Sequence, residues 1–101
     1  MQRGEVWLVD LGYLAKVRPA LILSLDILDT DRALATVIPY TTSTRGTRFE
    51  VPILVPFLRA GAFDAQNLIT VSIAKFQHRL GTLTPDELNQ VELAVRFWLG
   101  L

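Results

Sequence analysis

The chain has 101 residues, enough for one core and too few for two, and half of them are hydrophobic, so a packed domain is expected and disorder is not. Ten basic side chains balance ten acidic ones, so a polyanion would have to meet a local patch and not a global field. The absence of cysteine excludes disulfide scaffolds, thiolate metal sites and cysteine nucleophiles, and the single histidine, His78, excludes paired-histidine metal sites and two-histidine ribonuclease chemistry.

Met1-Gln2-Arg3-Gly4 runs straight into a strand pattern with no signal peptide. No apolar run approaches the ~20 residues of a membrane span, which makes the cytoplasm the default compartment. Glu5 to Asp10 (EVWLVD) alternates weakly and is rich in strand formers. Pro19 to Leu25 (PALILSL) is a continuous apolar run of strand length, expected to be buried on both faces. Asp26 to Arg32 reads as a charged hairpin loop and Ala33 to Pro39 as the next strand. Phe49 to Val55 predicts another, placed at an edge or a bulge by Pro52, which has no N–H to give a ladder. Pro56 to Ala65 is a connection, Asn67 to Ile73 an alternating strand, and Arg79 to Leu83 a short one.

Thr84-Pro85-Asp86-Glu87 then starts a helix, with a threonine N-cap, proline at the first helical position and glutamate three residues after the cap. Leu88, Val91, Val95 and Trp98 form one apolar stripe, with Leu88 and Trp98 expected to pack on the sheet, and Gly100 ends the helix. Short strands separated by turns, with one terminal helix, predict a mainly β (α+β) domain over residues 1–101: a small, strongly curved antiparallel sheet or barrel.

No glycine-rich phosphate loop, nucleophile elbow or EF-hand spacing is present. His78 reads as a surface or half-buried residue beside Arg79. Asp26, Asp29 and Asp31 suit either a hard cation or a solvated hairpin, and the hairpin is the simpler account because further oxygen ligands are not evident. What remains is arginine beside hydroxyl groups. Arg18 precedes Pro19, which keeps it extended, and Thr41, Thr42, Ser43 and Thr44 precede Arg45, Gly46 and Arg48. Pairing of the Pro19 and Ala33 strands would bring Arg18 and Thr41 to the same end of the sheet. A guanidinium fork beside a hydroxyl fits a phosphodiester; the alternative is an ion pair from Arg18 to Asp10 or Glu50.

RGEVWLVDLG, KVRPALILS, VIPYTTSTRGTRFEV and HRLGTLTPDEL, in that order over nearly the whole chain, resemble the MazF/PemK toxins of bacterial type II toxin–antitoxin modules. The arginine-proline-apolar run and the TT-x-x-(Lys/Arg)-Gly-x-x-Phe-Glu-Val segment are specific together. The resemblance implies a compact SH3-like barrel with a C-terminal helix, usually a homodimer, acting as a metal-independent endoribonuclease on single-stranded RNA and inhibited by a cognate antitoxin. It implies no cofactor. It maps the catalytic residues onto Arg18 and Thr41, and it implies attack by the RNA 2′-hydroxyl on the adjacent phosphate. Arg18 would stabilise the phosphorane charge, since guanidinium is a poor acid at neutral pH, and Thr41 would position the phosphate. Lys16, Thr42, Arg45, Arg48 and Asn67 are the expected RNA-binding residues, although Thr42, Ser43 and Thr44 also read as turn and capping hydroxyls. Phe57 and Phe63 are candidates for a dimer surface.

The chain also departs from that family. The link Leu11 to Val17 is short, so a base in that loop is missing or replaced by Tyr13 or Lys16, and Asn67-Leu68-Ile69 stands where relatives carry Gln-hydrophobic-(Lys/Arg). Two other functions fit the same barrel. One is a CcdB-like gyrase poison, faintly echoed in Trp98-Leu99-Gly100-Leu101. The other is a non-catalytic module that binds RNA or protein. Arg18 with Thr41 favours the ribonuclease over both.

Overall fold

The computed structural model describes residues 1–13 and 16–101. Its strands are β1 (Glu5–Asp10), β2 (Val17–Ile22), β3 (Leu34–Thr41), β4 (Glu50–Val51), β5 (Ala62–Asp64), β6 (Ile69–Ser72) and β7 (Phe76–Thr82), followed by the helix α1 (Pro85–Leu99). Short 3₁₀ turns at Ala65–Asn67 and Ile73–Lys75 flank β6. The strands form one antiparallel sheet in the order β4-β5-β3-β2-β1-β7, with β6 pairing the first half of β3. This is the mainly β architecture with one C-terminal helix that the strand-and-turn pattern predicts. No helix among the described residues is long and apolar enough to cross a membrane.

The central strands are buried on both faces because the sheet has a core on each side. Leu21 and Ile38 face the larger core with Val6, Tyr40, Phe63, Val91 and Val95. Ala20, Ile22 and Val37, at alternate positions, face a smaller cluster with Val9 and Leu11, covered by Trp7 and Phe76. Each fully buried Leu, Ile or Phe contributes roughly 1.5–3 kcal/mol, so the apolar run in β2 is a principal source of stability. The run loses its burial after Ile22: Leu25 is 81% exposed. Strand pairing also starts earlier than the apolar pattern, at Val17, which places Arg18 inside β2.

The helix follows its local signals closely. Thr84 Oγ1 accepts from the Glu87 N–H (3.2 Å), and Glu87 Oε1 accepts from the Thr84 N–H (2.8 Å). Gly100 adopts φ 73°, and the Leu101 and Gly100 N–H groups donate to the Arg96 and Phe97 carbonyls, ending the helix in a Schellman pattern. Val91 and Val95 are buried and Leu88 packs beside them. Trp98 stays 42% exposed and lies edge-on against Phe49, with ring centroids 5.2 Å apart.

Several expectations are corrected. The strand predicted over Phe49 to Val55 shrinks to Glu50–Val51 at the sheet edge, because Pro52 ends the ladder. The connection from Pro56 to Ala65 contains β5, a strand of three residues. The strand over Asn67 to Ile73 is trimmed by its flanking 3₁₀ turns. The last strand begins at Phe76, where its pairing with β1 begins, and not at Arg79. Phe63 is fully buried, and the half-buried Phe57 ring packs over Gly81, where an added Cβ would stand 2.7 Å from Phe57 Cγ. Phe63 is therefore committed to the chain's own core and is not available to a dimer surface, whereas the Phe57 ring keeps a partly exposed face.

Glu5 is the one buried charged side chain among the described residues. Burial pushes its carboxyl upward, but hydrogen bonds from Trp7 Nε1 (3.0 Å), the Gln2 N–H (2.7 Å) and Arg79 Nη1 (3.2 Å) outweigh that and hold it below the usual range. Through Arg79 the network ties the start of β1 to β7.

Candidate active site

β2 and β3 pair through Ala20↔Pro39, Leu21↔Ile38 and Ile22↔Val37. Arg18 lies two residues before the Ala20↔Pro39 end of this ladder and Thr41 two residues after it, so neighbouring antiparallel strands bring a guanidinium and a hydroxyl to the same end of the sheet. Arg18 is exposed and Thr41 half-buried. Thr41 Oγ1 accepts the Ser43 N–H (3.0 Å), which fixes the side chain and turns the chain out of β3. Among the described residues that hydroxyl has no acceptor of its own, so it can donate to a ligand.

Two contacts hold this strand end from behind. The Tyr40 hydroxyl donates to the Arg59 carbonyl (2.5 Å), with its ring edge-on to Phe63, and burial pushes the phenol pKa upward. Gly61 passes so close that a Cβ there would overlap the Thr41 carbonyl oxygen. Pairing of Tyr40 with Phe63 and Thr41 with Ala62 locks the two segments together.

The loop after Thr41 is built around Glu50. Its carboxylate accepts the Arg45 N–H at both oxygens (3.0 Å each) and the Thr47 N–H (2.9 Å), with Gly46 between them at φ 70°. These backbone donations, from Arg45 first and then Thr47, hold the Glu50 carboxyl below the usual range. Glu50 itself is fixed by β4 pairing with β5.

Two depressions meet at this point, and both are lined by Arg18, Tyr40 and Thr41. The first, of about 680 Å³, also holds Ser43, Arg45, Glu50, Asp64, Gln66 and Asn67. The second, of about 460 Å³, holds Lys16, Thr42 and Arg59 against Phe57 and Leu80. The predicted residues Arg45 and Asn67 thus lie in one depression, Lys16 and Thr42 in the other, and Arg18 with Thr41 on the border. Arg48 is not among them. Its guanidinium stacks 4.7 Å from the Phe49 ring and 4.8 Å from the Phe97 ring, on the helix side of the loop.

Of the short loop Leu11 to Val17, Leu14 and Ala15 lie outside the described residues; Tyr13 is 95% exposed and Lys16 has φ 59°. His78 is exposed. Asp26 and Asp31 accept backbone N–H groups of Arg3 and Leu28, and no cluster of three metal-ligating side chains forms among the described residues. Arg59, Asp64 and Gln66 were not singled out by sequence. The only signal for them was a glycine, Gly61, in a stretch read as a plain connection.

The model describing the PemK-like, MazF-like toxin of type II toxin–antitoxin systems matches residues 2–99. The curated protein "Probable endoribonuclease MazF5" of Mycobacterium tuberculosis is 36% identical over 92 residues, covering 88% of this chain and 84% of that protein. The solved "Endoribonuclease in complex with its cognate antitoxin" from a mycobacterial species aligns with all of this chain and 96% of its own, at 29% identity and TM-score 0.86. A MazE–MazF structure from Deinococcus radiodurans shares the fold at TM-score 0.83 and 21% identity, over all of this chain and 96% of that one.

Proposed function

This chain belongs to the PemK-like, MazF-like toxin family of type II toxin–antitoxin systems, and on that premise we propose that it is an endoribonuclease that cuts single-stranded RNA without a metal ion. The observation that carries the reading is that Arg18 and Thr41 together line the border of two depressions. A scissile phosphate on that border has one flanking nucleotide in each depression. The 2′-oxygen attacks the phosphorus as its proton passes to solvent, the 5′-oxygen leaves and takes a proton from solvent, and the products are a 2′,3′-cyclic phosphate and a 5′-hydroxyl. Arg18 neutralises the charge that grows on the non-bridging oxygens. Thr41 donates to one of them, its lone pair already engaged by the Ser43 N–H. Lys16, Arg45 and Arg59 hold the flanking phosphates, with Thr42 and Asn67 beside them.

Residues 1–101 act as one toxin domain, working as a homodimer in the cytoplasm, where RNA is available. The resemblance to an endoribonuclease in complex with its cognate antitoxin supports a protein inhibitor, and a disordered acidic segment laid over Arg18 and Arg45 is the form that suits these cations. The test is incubation of the purified protein with mixed RNA in EDTA. Fragments with 5′-hydroxyl ends, lost in Arg18→Ala at an unchanged melting temperature, are expected. Cleavage only with magnesium, or 5′-phosphate ends, would overturn the mechanism.

A further inference from the structure

The two depressions differ in charge. Among the described residues the second is lined by Lys16, Arg18 and Arg59 and by no carboxylate, whereas the first sets Arg18 and Arg45 against Glu50 and Asp64. A polyanionic backbone suits the cationic depression. The balanced one suits an uncharged group with polar edges, which in RNA is a base.

Within the first depression the two carboxylates are not equivalent. Both oxygens of Glu50 are engaged by the Arg45 and Thr47 N–H groups, so its carboxylate is committed to shaping the loop. Asp64, its cross-strand partner at the end of β5, is half-buried. Its Oδ2 accepts from Asn67 Nδ2, while Oδ1 has no partner among the described residues. Asn67 thereby holds the carboxylate in place and keeps its own amide oxygen as a further acceptor. The depression thus offers unspent acceptors on a rigid strand end.

We propose that Asp64, held by Asn67, determines base specificity, selecting at the position beside the cut a base with an exocyclic amino group (adenine, cytosine or guanine) over uracil. The proposal rests on the RNA-cleaving reading above. A carboxylate accepts directly from an amino group, as in aspartate pairing with cytosine N4. Uracil has no amino group; its Watson–Crick edge sets one N–H between two carbonyl oxygens, which face the carboxylate acceptor to acceptor. A site built to receive a donor rejects an analogue that lacks it, and a charge-assisted hydrogen bond corresponds to roughly 10- to 100-fold in rate.

The experiment is end-sequencing of a randomised single-stranded RNA pool cut in EDTA by the wild type and by Asp64→Asn. The wild type should deplete uracil roughly tenfold or more at one position flanking the cut. Asp64→Asn, near-isosteric and able to donate to a uracil carbonyl, should remove that depletion at that position alone, with the melting temperature unchanged. Asn67→Ala, at an exposed position, should weaken the same preference and serves if Asp64→Asn does not fold. A depletion that survives both changes, or no uracil depletion beside the wild-type cut, overturns the assignment of Asp64. A wild type that cuts nothing in EDTA overturns the nuclease reading itself, and this inference with it.

Discussion

Gly61→Ala is the most direct test of how the fold holds the site. A Cβ at residue 61 would lie 2.9 Å from Tyr40 Cε2 and 3.1 Å from the Thr41 carbonyl carbon, and would overlap the Thr41 carbonyl oxygen. Two of these atoms are backbone, pinned by the pairing of Thr41 with Ala62 and Tyr40 with Phe63, so no flexible side chain can turn aside. Relief needs a retreat on the order of 1 Å by Thr41 or by the Gly61 segment. Misplacement of about 1 Å in a reacting group costs roughly 100-fold in rate. Overpacking of this kind also costs about 1–3 kcal/mol of stability, and a domain of this size loses roughly 4–8 °C of Tm per kcal/mol. The assay pairs a thermal melt with RNA cleavage measured well below the mutant Tm, so that the population is folded. A variant with wild-type cleavage and an unchanged melting curve would refute the view that Gly61 is required by the approach to Thr41.

Thr41→Ala removes one hydrogen bond to the phosphate and frees the Ser43 N–H, so kcat/KM should fall by about 1–3 kcal/mol of transition-state stabilisation. Arg18→Lys should lose at least about tenfold, since an ammonium cannot reproduce the planar fork; near-normal cleavage by this variant would argue against a bidentate role. The depressed Glu5 carboxyl makes an acid prediction. Its contribution is fully present above the ordinary glutamate pKa of about 4.3 and is lost as pH falls through the lower folded-state value. The Tm gap between wild type and Glu5→Gln should therefore narrow below about pH 4.3, and a gap constant from pH 6 to 3 would contradict it.

The parts legible in the sequence are those governed by neighbours along the chain. The capping box at Thr84 and Glu87 is a local bargain between residues three apart, and the structure forms it with both hydrogen bonds. Two strand patterns and one pairing predict Arg18 and Thr41 at one end of the sheet, and the β2–β3 ladder brings them there, on the border of both depressions. The unread parts depend on partners distant in sequence. Ala62–Asp64 is too short to show a period, and exists as a strand because Tyr40 and Thr41 offer it a ladder. Arg48 sits between two candidate RNA-binding residues in sequence, yet Phe97 on the helix draws its guanidinium away from the depressions. Nothing near Phe63 indicates that its ring is enclosed by Tyr40 and the larger core.

The pairing of β1 with β7, Glu5 against Thr82, has a consequence for the timing of folding. β1 meets its β2 partner early, but its other edge has no complete partner until the chain has been extended past residue 82. At typical synthesis rates of about 5–20 residues per second, that interval is roughly 4–15 s. Loop closure over such a separation is slow relative to hairpin formation. α1, which supplies Val91 and Val95 to the larger core, is made later still. The strands bearing Arg18 and Thr41 leave the ribosome in the first half of synthesis and gain their rigid setting only after nearly the whole chain has followed.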